Sequence, residues 1–326
     1  MANVPRILSI VIPTLNRCDY LCGALRSIIE SQCNFEDIQV CISNNFSDEN
    51  YDAVIELIKA APASLDIIYV SQPKRLPIDE SMYAAYAMST GEYVYFLGDD
   101  DYFLEGELRK LLGLISERSV DAAVFNGLIV DADNRVMGKH FELAPATYDS
   151  VADAFVALRD KGMFGAVLVR RELLDEKYFT ALFGTSHAYG CFWLSLLNRP
   201  SPRCRILIPE FPLVALRMAK KNYNHMFVYY RDIPYEISVY KRLLLSPESQ
   251  HLNSSFESVF VHKVIGLRFL CYIKEMGMDL TEIRNINPAL FARARTNIMI
   301  ASAIVNSGLY SALKNAKRAI SSLRGA

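Results

Sequence analysis

The first hundred residues alternate between two apolar patterns. ILSIVIP (7–13) is an unbroken run of mostly branched aliphatic side chains, as expected of a strand covered on both faces. IQVCIS (38–43), DIIYVS (66–71) and EYVYFL (92–97) repeat that pattern. Between them the spacing becomes helical: in DYLCGALRSIIESQ (19–32), Leu21, Leu25, Ile28 and Ile29 fall on one side. DENYDAVIELIKAA (48–61) and DESMYAAYAMS (79–89) predict two further helices, the first with acidic residues at its positive end. Strands alternating with helices predict an α/β fold with a mostly parallel sheet. Beyond about residue 216 the pattern is helical. SFESVFVHKVIGLRFLCYIKEM (255–276) reads as a helix, and Asn285-Ile286-Asn287-Pro288 opens another with proline in its first turn. A chain of 326 residues exceeds one compact core, so we expect a main domain over 1–215 and a helical region over 216–326.

In parallel sheets, ligands gather beyond the carboxyl ends of the strands. Pro13-Thr14-Leu15-Asn16-Arg17 follows the first strand, Ser43-Asn44-Asn45-Phe46-Ser47-Asp48 the second, and Gln72-Pro73-Lys74-Arg75 the third. Gly98-Asp99-Asp100-Asp101 follows the fourth. No GxGxxG stands after the first strand and no GxxxxGK[ST] occurs, so dinucleotide and P-loop readings lose their main support. Hydrogen-bonding groups, two adjacent cations and three carboxylates suit a diphosphate bridged by a hard cation. Mg²⁺ or Mn²⁺ takes one or two protein carboxylates and completes its shell with phosphate oxygens and water. The bland alternative is that Asp101 caps a helix beginning near Glu105. Three successive aspartates repel, however, by up to ~4 kcal/mol per pair at ~4 Å near a surface, and a bound dication removes that penalty.

Composition narrows the partners. Thirty-six acidic and 35 basic residues leave a net charge of −1, so no nucleic-acid partner is expected. The seven cysteines are odd in number and show no paired metal-ligand spacing; they read as reduced core residues of a cytoplasmic protein. MANVPRILSIVIPTLNR begins as a strand, without the form of a signal peptide. Thr296–Leu313 is uncharged, yet too rich in Thr, Asn, Ser and Gly to span a bilayer. Arg293 and Arg295 precede it, and Lys314, Lys317, Arg318 and Arg324 follow. A helix lying on an anionic membrane surface and a helix packed on the domain both fit that pattern.

LSIVIPTLNR at the first strand, ISNNFSD at the second and TGEYVYFLGDDD at the fourth resemble the nucleotide-sugar-binding domain of family 2 glycosyltransferases. That resemblance implies the GT-A fold, Rossmann-like and with a mostly parallel sheet flanked by helices, here with a C-terminal helical extension. It is close over residues 6–112. GMFGAVLVRREL (162–173) and FGTSHAYGCFWLSLL (183–197) are similar to the acceptor half of bacterial O-antigen and polysaccharide enzymes, nearest the abequosyltransferase-like subgroup. The implied activity is metal-dependent, inverting transfer of a sugar from a nucleoside-diphosphate donor to a hydroxyl of a polyprenyl-diphosphate-linked glycan. The implied place is the inner face of the cytoplasmic membrane, with 216–326 touching membrane or forming a homo-oligomer contact. A nucleotidyltransferase that makes sugar nucleotides, and a non-catalytic nucleotide-sugar-binding protein, are the competing readings. The first would carry a glycine-rich basic loop after strand one, and the second would not need the carboxylates.

On these matches, Pro13, Thr14, Asn16 and Arg17 cradle the nucleotide and Asn44 faces the base. Many members carry aspartate at that position, and an amide donates as well as accepts. Lys74 and Arg75 support the diphosphate. Asp99 faces the ribose or diphosphate and Asp101 the metal, with Asp99 also a candidate ligand and Asp100 open between the roles. The acceptor region Gly184–Gly190 lacks the family's Glu-Asp pair. His187 is therefore a candidate base, since imidazole titrates near neutrality, and equally a candidate metal ligand or core residue. Glu210 is the carboxylate alternative. The aromatic stretch 220–240 reads as core or lid, with stacking on an acceptor sugar as the alternative.

Overall fold

A computed structural model of the chain describes residues 6–315 apart from 142, 160, 162–163, 200–202 and 218–224. Two compact units divide it, Met1–Asn222 with Arg242–Leu252, and Tyr223–Lys241 with Asn253–Ala326. The first opens with β1 (Leu8–Thr14), α1 (Cys18–Ile29), β2 (Ile38–Asn44), α2 (Asp52–Ala60), β3 (Asp66–Ser71), α3 (Ile78–Ala87) and β4 (Tyr93–Phe96). It continues through β5 (Tyr102–Phe103), α4 (Glu107–Ser116), β6 (Ala122–Val124), β7 (Gly127–Val130), β8 (Val136–Lys139), β9 (Ala146–Ser150) and α5 (Val151–Leu158). Then come β10 (Val167–Arg170), α6 (Glu176–Ala181), α7 (Cys191–Leu197), β11 (Arg203–Ile208) and β12 (Val214–Arg217).

Every residue of β1 and β2 is buried, which is why their sequences are continuous apolar runs rather than alternating ones. The main sheet has the order β3-β2-β1-β4-β10-β6-β11-β9, with β1 to β4 mutually parallel. Beyond β4 the directions mix, since β10 runs antiparallel to both β4 and β6. A smaller sheet has the order β5-β12-β7-β8. The core of this unit gathers Leu8, Ile10, Ile12, Leu25, Ile28, Val40, Ile42 and Tyr95.

Register is fixed by a buried polar ladder near the amino ends of the strands. Ser9 pairs with Gln39, and Gln39 with Asp66. Ser9 Oγ donates to Gln39 Oε1 at 2.8 Å and accepts from the Gly91 N–H at 2.8 Å. Gln39 Nε2 donates to Asp66 Oδ2 at 2.9 Å. A slip of one residue would turn these groups into unsatisfied polar atoms inside the core, so the polar chain enforces the alignment that positions the opposite edge.

The second unit is helical. Short α8 (His225–Phe227) passes through a π-helical turn, Val228–Asp232, into α9 (Ile233–Leu243). After α10 (Pro247–Ile265), α11 (Leu267–Glu275) and α12 (Ile283–Ile286) comes α13 (Pro288–Asn306). Helix α13 starts as its sequence predicts: Asn287 Oδ1 accepts from the Leu290 N–H at 3.1 Å and Pro288 opens the first turn. The helix expected over 255–276 is instead interrupted at Gly266, whose extended backbone (ψ 140°) separates α10 from α11. The described part of the aromatic stretch is mixed: Tyr230 and Tyr240 are buried, Tyr230 donating to the Val264 carbonyl at 2.9 Å, whereas Phe227 and Tyr235 are exposed. All seven cysteines are free thiols, five of them buried. Among the described residues no helix is long and apolar enough to cross a membrane.

The ladder yields a paired prediction. A Cβ on Gly91 would lie 2.6 Å from Ser9 N and 2.9 Å from Leu8 C, backbone atoms with no freedom to retreat. Gly91→Ala should cost about 1–3 kcal/mol in urea denaturation. Gly113→Ala, on the exposed side of α4 with nothing within 4 Å, should instead gain about 0.5–1 kcal/mol. Similar effects at both positions would contradict the assigned register.

Candidate functional site

The register aligns the carboxyl ends of the first strands. Thr14, Asn44 and Ser71 stand level across β1, β2 and β3. Continuing the β1–β4 pairing beyond Val11↔Phe96 brings Asp99 level with Thr14. The residues that sequence order scatters over ninety positions therefore share one sheet edge, the place where α/β folds take ligands.

At that edge the chain turns sharply, the Asp101 N–H bonding the Gly98 carbonyl at 3.1 Å. The turn keeps the carboxylates together: Asp100 Oδ1 and Asp101 Oδ2 lie 3.1 and 2.8 Å from the point where a Cβ on Gly98 would stand. Arg17 Nη1 lies 2.9 Å from Asp99 Oδ1 and 2.9 Å from Asp100 Oδ2, so two carboxylate oxygens converge on one cationic nitrogen. Asp101 is held by a different partner. Its Oδ1 accepts from the Arg217 N–H at 3.3 Å, and its Oδ2 lies where a Cβ on Gly98 or Gly165 would be, 2.8 and 3.0 Å away. Gly165 has φ +89°, a left-handed backbone that suits glycine. Asp101 therefore does not cap a helix; α4 begins six residues later, after Gly106. Asp100, rather than Asp101, is the partner of Asp99 at the converging point.

Burial sets the electrostatics. It pushes the Asp99 carboxyl up to about 6, with Asp100 adding to the rise and Arg17 and Thr14 opposing it. Asp101 is raised well above the ordinary carboxylate range, first by burial and then by the Asp100 charge. Arg17 is raised by its two carboxylate partners despite the opposing effect of burial. Two convergent carboxylate oxygens are the kind of donor that Mg²⁺ or Mn²⁺ accepts, the rest of its shell coming from phosphate and water.

A hydrogen-bonded chain steadies this corner. The Asn16 N–H donates to Ser47 Oγ at 2.9 Å, and Ser47 Oγ donates to the Tyr51 phenol at 3.2 Å. The same phenol accepts from the Arg17 N–H at 3.1 Å, which leaves its own proton for Thr14 Oγ1 at 3.0 Å. Thr14 in turn hydrogen-bonds Asp99. Tyr51 is thus the hub of the site, and nothing in its local sequence marks it. Pro13 lies buried in β1 as part of the same wall.

The loops after β2 and β3 are tied to one another. Asn45 exchanges two hydrogen bonds with the Leu76 backbone, at 2.9 and 2.7 Å. Asn44 gives Nδ2 to the Tyr69 hydroxyl at 2.7 Å and accepts the Ser47 N–H on Oδ1 at 3.1 Å, so both ends of its amide are committed within the protein. Asp48 lies outside α2, which starts at Asp52; it accepts from Arg75 at 2.7 Å and from Asn16 at 3.3 Å. Arg75 is thereby held at the surface, and Lys74 beside it is exposed.

The loop Gly184–Gly190 is organised by a residue not expected to matter. Asp79, 1% exposed in the first turn of α3, accepts three backbone N–H groups: Gly184 at 2.8 Å and Ser186 at 2.9 Å on Oδ2, Ala188 at 2.9 Å on Oδ1. Its carboxyl is raised by burial, against the pull of those three donors and of His187. His187 rides this loop, ring to ring with Tyr189 at 5.9 Å. Among the described residues no three His, Cys, Asp or Glu side chains stand together to hold a metal. Glu210 is exposed just beyond β11, with no hydrogen bond or ion pair to either loop among the described residues.

Comparison with known proteins identifies the family and the fold. The model of "Glycosyl transferase family 2" matches residues 9–179. The GalNAc(5)-diNAcBac-PP-undecaprenol beta-1,3-glucosyltransferase of Campylobacter jejuni is 26% identical over 196 residues. The abequosyltransferase RfbV of Salmonella typhimurium is 30% identical over 102 residues. The chain spans 60% of the length of the first and 30% of the second, and those matches cover 60% and 31% of the chain. Among solved structures, S. aureus TarS 1–349 in complex with UDP-GlcNAc aligns with 93% of the chain and 92% of its own, at TM-score 0.66 and 13% identity. The mannosyltransferase PcManGT from Pyrobaculum calidifontis, in complex with GDP-Man and Mn²⁺, aligns with 96% and 88%, at TM-score 0.53 and 15% identity. At such identities these two speak for the fold alone, which is GT-A-like.

The raised Asp99 carboxyl has a signed consequence. Its folded value of about 6 exceeds the ordinary 3.8, so the folded chain holds a proton there that the unfolded chain has released. Its contribution to stability is then present at low pH and lost as pH rises from about 4 to about 6. Asp99→Asn should therefore gain melting temperature relative to wild type across that window in metal-free buffer. A difference that stays flat or shrinks with rising pH would contradict the assigned burial.

Proposed function

The chain belongs to glycosyl transferase family 2, and from that premise we propose that it moves a sugar from a nucleoside-diphosphate donor to a hydroxyl of a lipid-linked bacterial glycan. The observation that carries the reading is the convergence of Asp99 and Asp100 on one cationic point at the carboxyl edge of the sheet. A donor diphosphate and a divalent cation need such an edge, and when bound the cation supplies Lewis-acid stabilisation of the departing diphosphate. Asp99 and Asp100 would hold it, with Asp101 behind them shaping the turn. The aligned edge of Thr14 and Asn44 forms the floor for the nucleoside. Exposed Lys74 is available to the diphosphate, and Arg75 could join it on leaving Asp48.

In the transfer itself the acceptor oxygen forms a bond to the anomeric carbon as the bond from that carbon to the diphosphate breaks. Attack from the side opposite the leaving group inverts the centre. The acceptor proton passes to a base, and His187 is assigned that role because Asp79 fixes its loop through three backbone N–H groups. Glu210 has no comparable tether. The lipid-linked acceptor is supported by the name of the Campylobacter relative, which carries an undecaprenol diphosphate, and by the exposed apolar side chains Met299 and Ile300, close in sequence to Arg293 and Arg295 on α13. A helix that pairs exposed Met299 with Arg295 and exposed Ile300 with Arg293 suits the anionic inner face of a cytoplasmic membrane.

Incubation with UDP-, GDP-, CDP- and dTDP-sugars, Mn²⁺ and a polyprenyl-diphosphate-linked glycan should yield a product longer by one sugar. In that assay His187→Ala should lower kcat by ~10²-fold or more with donor KM nearly unchanged. No elongated product with any donor, but sugar nucleotide and pyrophosphate formed from a nucleoside triphosphate and a sugar phosphate, or a variant that alters KM alone, would count against the proposal.

A further inference from the structure

Arg17 stands where a donor complex needs a different cation. Its Nη1 is 2.9 Å from both Asp99 Oδ1 and Asp100 Oδ2, the oxygens assigned above to the divalent ion. The three side chains are 16%, 8% and 21% exposed, so little water screens the contact. A guanidinium keeps its charge at every physiological pH. The Arg17 backbone, by contrast, is anchored: its N–H donates to Tyr51 and its carbonyl accepts the Leu21 N–H at 3.0 Å, at the start of α1. Only the side chain is free to leave.

We propose that Arg17 is a charge guard: without donor it neutralises Asp99 and Asp100 and keeps a free divalent cation out, and with donor it transfers to the diphosphate. The proposal rests on the metal-dependent reading above and concerns how that site is loaded. A dication placed on the same two oxygens would face the guanidinium across a few ångströms of poorly screened space, so Arg17 and the ion exclude one another. A diphosphate changes the balance, because it offers the guanidinium a paired-oxygen partner that matches its fork. Arg17 then exchanges two carboxylate contacts for phosphate contacts, and the carboxylates are released to the ion. Cation and diphosphate consequently bind with positive coupling, each raising the affinity of the other by the same factor.

The test titrates full-length protein with Mn²⁺, following the free-ion EPR signal, alone and with saturating UDP, GDP, CDP or dTDP. Wild type should bind Mn²⁺ weakly alone and much more tightly with the cognate diphosphate. Arg17→Gln, which removes the charge and keeps most of the length, should bind Mn²⁺ alone at least about tenfold more tightly and show less coupling. Arg17→Lys keeps the charge and should stay within about threefold of wild type. Arg17→Met repeats the neutral test if the Gln variant does not fold. Neutral variants no tighter than wild type, or a Lys variant as tight as the neutral ones, would overturn the guard while leaving the metal site standing. Failure of every form to bind Mn²⁺ even with all four diphosphates would overturn the metal-dependent reading itself, and the guard with it.

Discussion

Two carboxylates sharing one guanidinium is the contact on which the rest of the site depends. Asp99 and Asp100 stand at the end of a buried strand, where like charges are poorly screened, and Arg17 supplies the counter-charge at 2.9 Å from each. Much of the surrounding structure keeps that geometry in place. The Ser9–Gln39–Asp66 ladder fixes the register of β1, β2 and β3 at their amino ends, and through Gly91 it ties in the approach to β4. Tyr51 fixes the Arg17 backbone and, through Thr14, one face of Asp99. Gly98 and Gly165 leave the space into which Asp101 turns. Removal of any of these would move charge that has little room to move.

The sheet thus works as a lever with polar fastenings at both ends. Its interior is apolar and has no means of choosing between registers a residue apart, and the buried polar ladder makes that choice. The opposite edge inherits the alignment: Thr14 stands level with Asn44, and Asp99 reaches Thr14 by a side-chain hydrogen bond. On the acceptor side the fastening is Asp79, whose three accepted hydrogen bonds hold the irregular segment Gly184–Ala188, including the left-handed Ser186 at φ +60°. A carboxylate used in this way orders a loop that carries no strand or helix of its own up to Gly184–Ser186, and so gives His187 a defined place.

How much of this could be read from the chain depends on the range of the interaction. β1 to β4 and the helices between them lie close to their expected places, because a strand covered on both faces leaves a continuous apolar run. The aspartate run and the chemistry of the sheet edge were legible for the same reason: each follows a strand directly. Interactions between distant residues were not. Arg17 could be assigned to a nucleotide cradle, but its contact with carboxylates more than eighty positions away needs the β1–β4 register. Asp48 looks like a helix-end charge in sequence and is instead the partner of Arg75 and Asn16. Asn44 looks free to read a base, yet Tyr69 and Ser47 occupy its amide. Tyr51 and Asp79 carry no local signal, since their importance lies wholly in what the fold brings to them. The expected helix over 255–276 overlooks Gly266, where the extended backbone breaks the helix and a Cβ would press on the His262 and Lys263 carbonyl oxygens at 3.0 and 3.1 Å.

The central claim is that the corner at Asp99 and Asp100 grips a divalent cation together with a nucleoside diphosphate. A crystal grown with Mn²⁺ and the cognate nucleoside diphosphate, with data collected at the manganese edge, tests it most directly. The account predicts one anomalous peak within coordinating distance of Asp99 and Asp100 and of the diphosphate, with the Arg17 guanidinium turned to the phosphates. A peak elsewhere, or a diphosphate bound with Arg17 still between the two carboxylates, would contradict it.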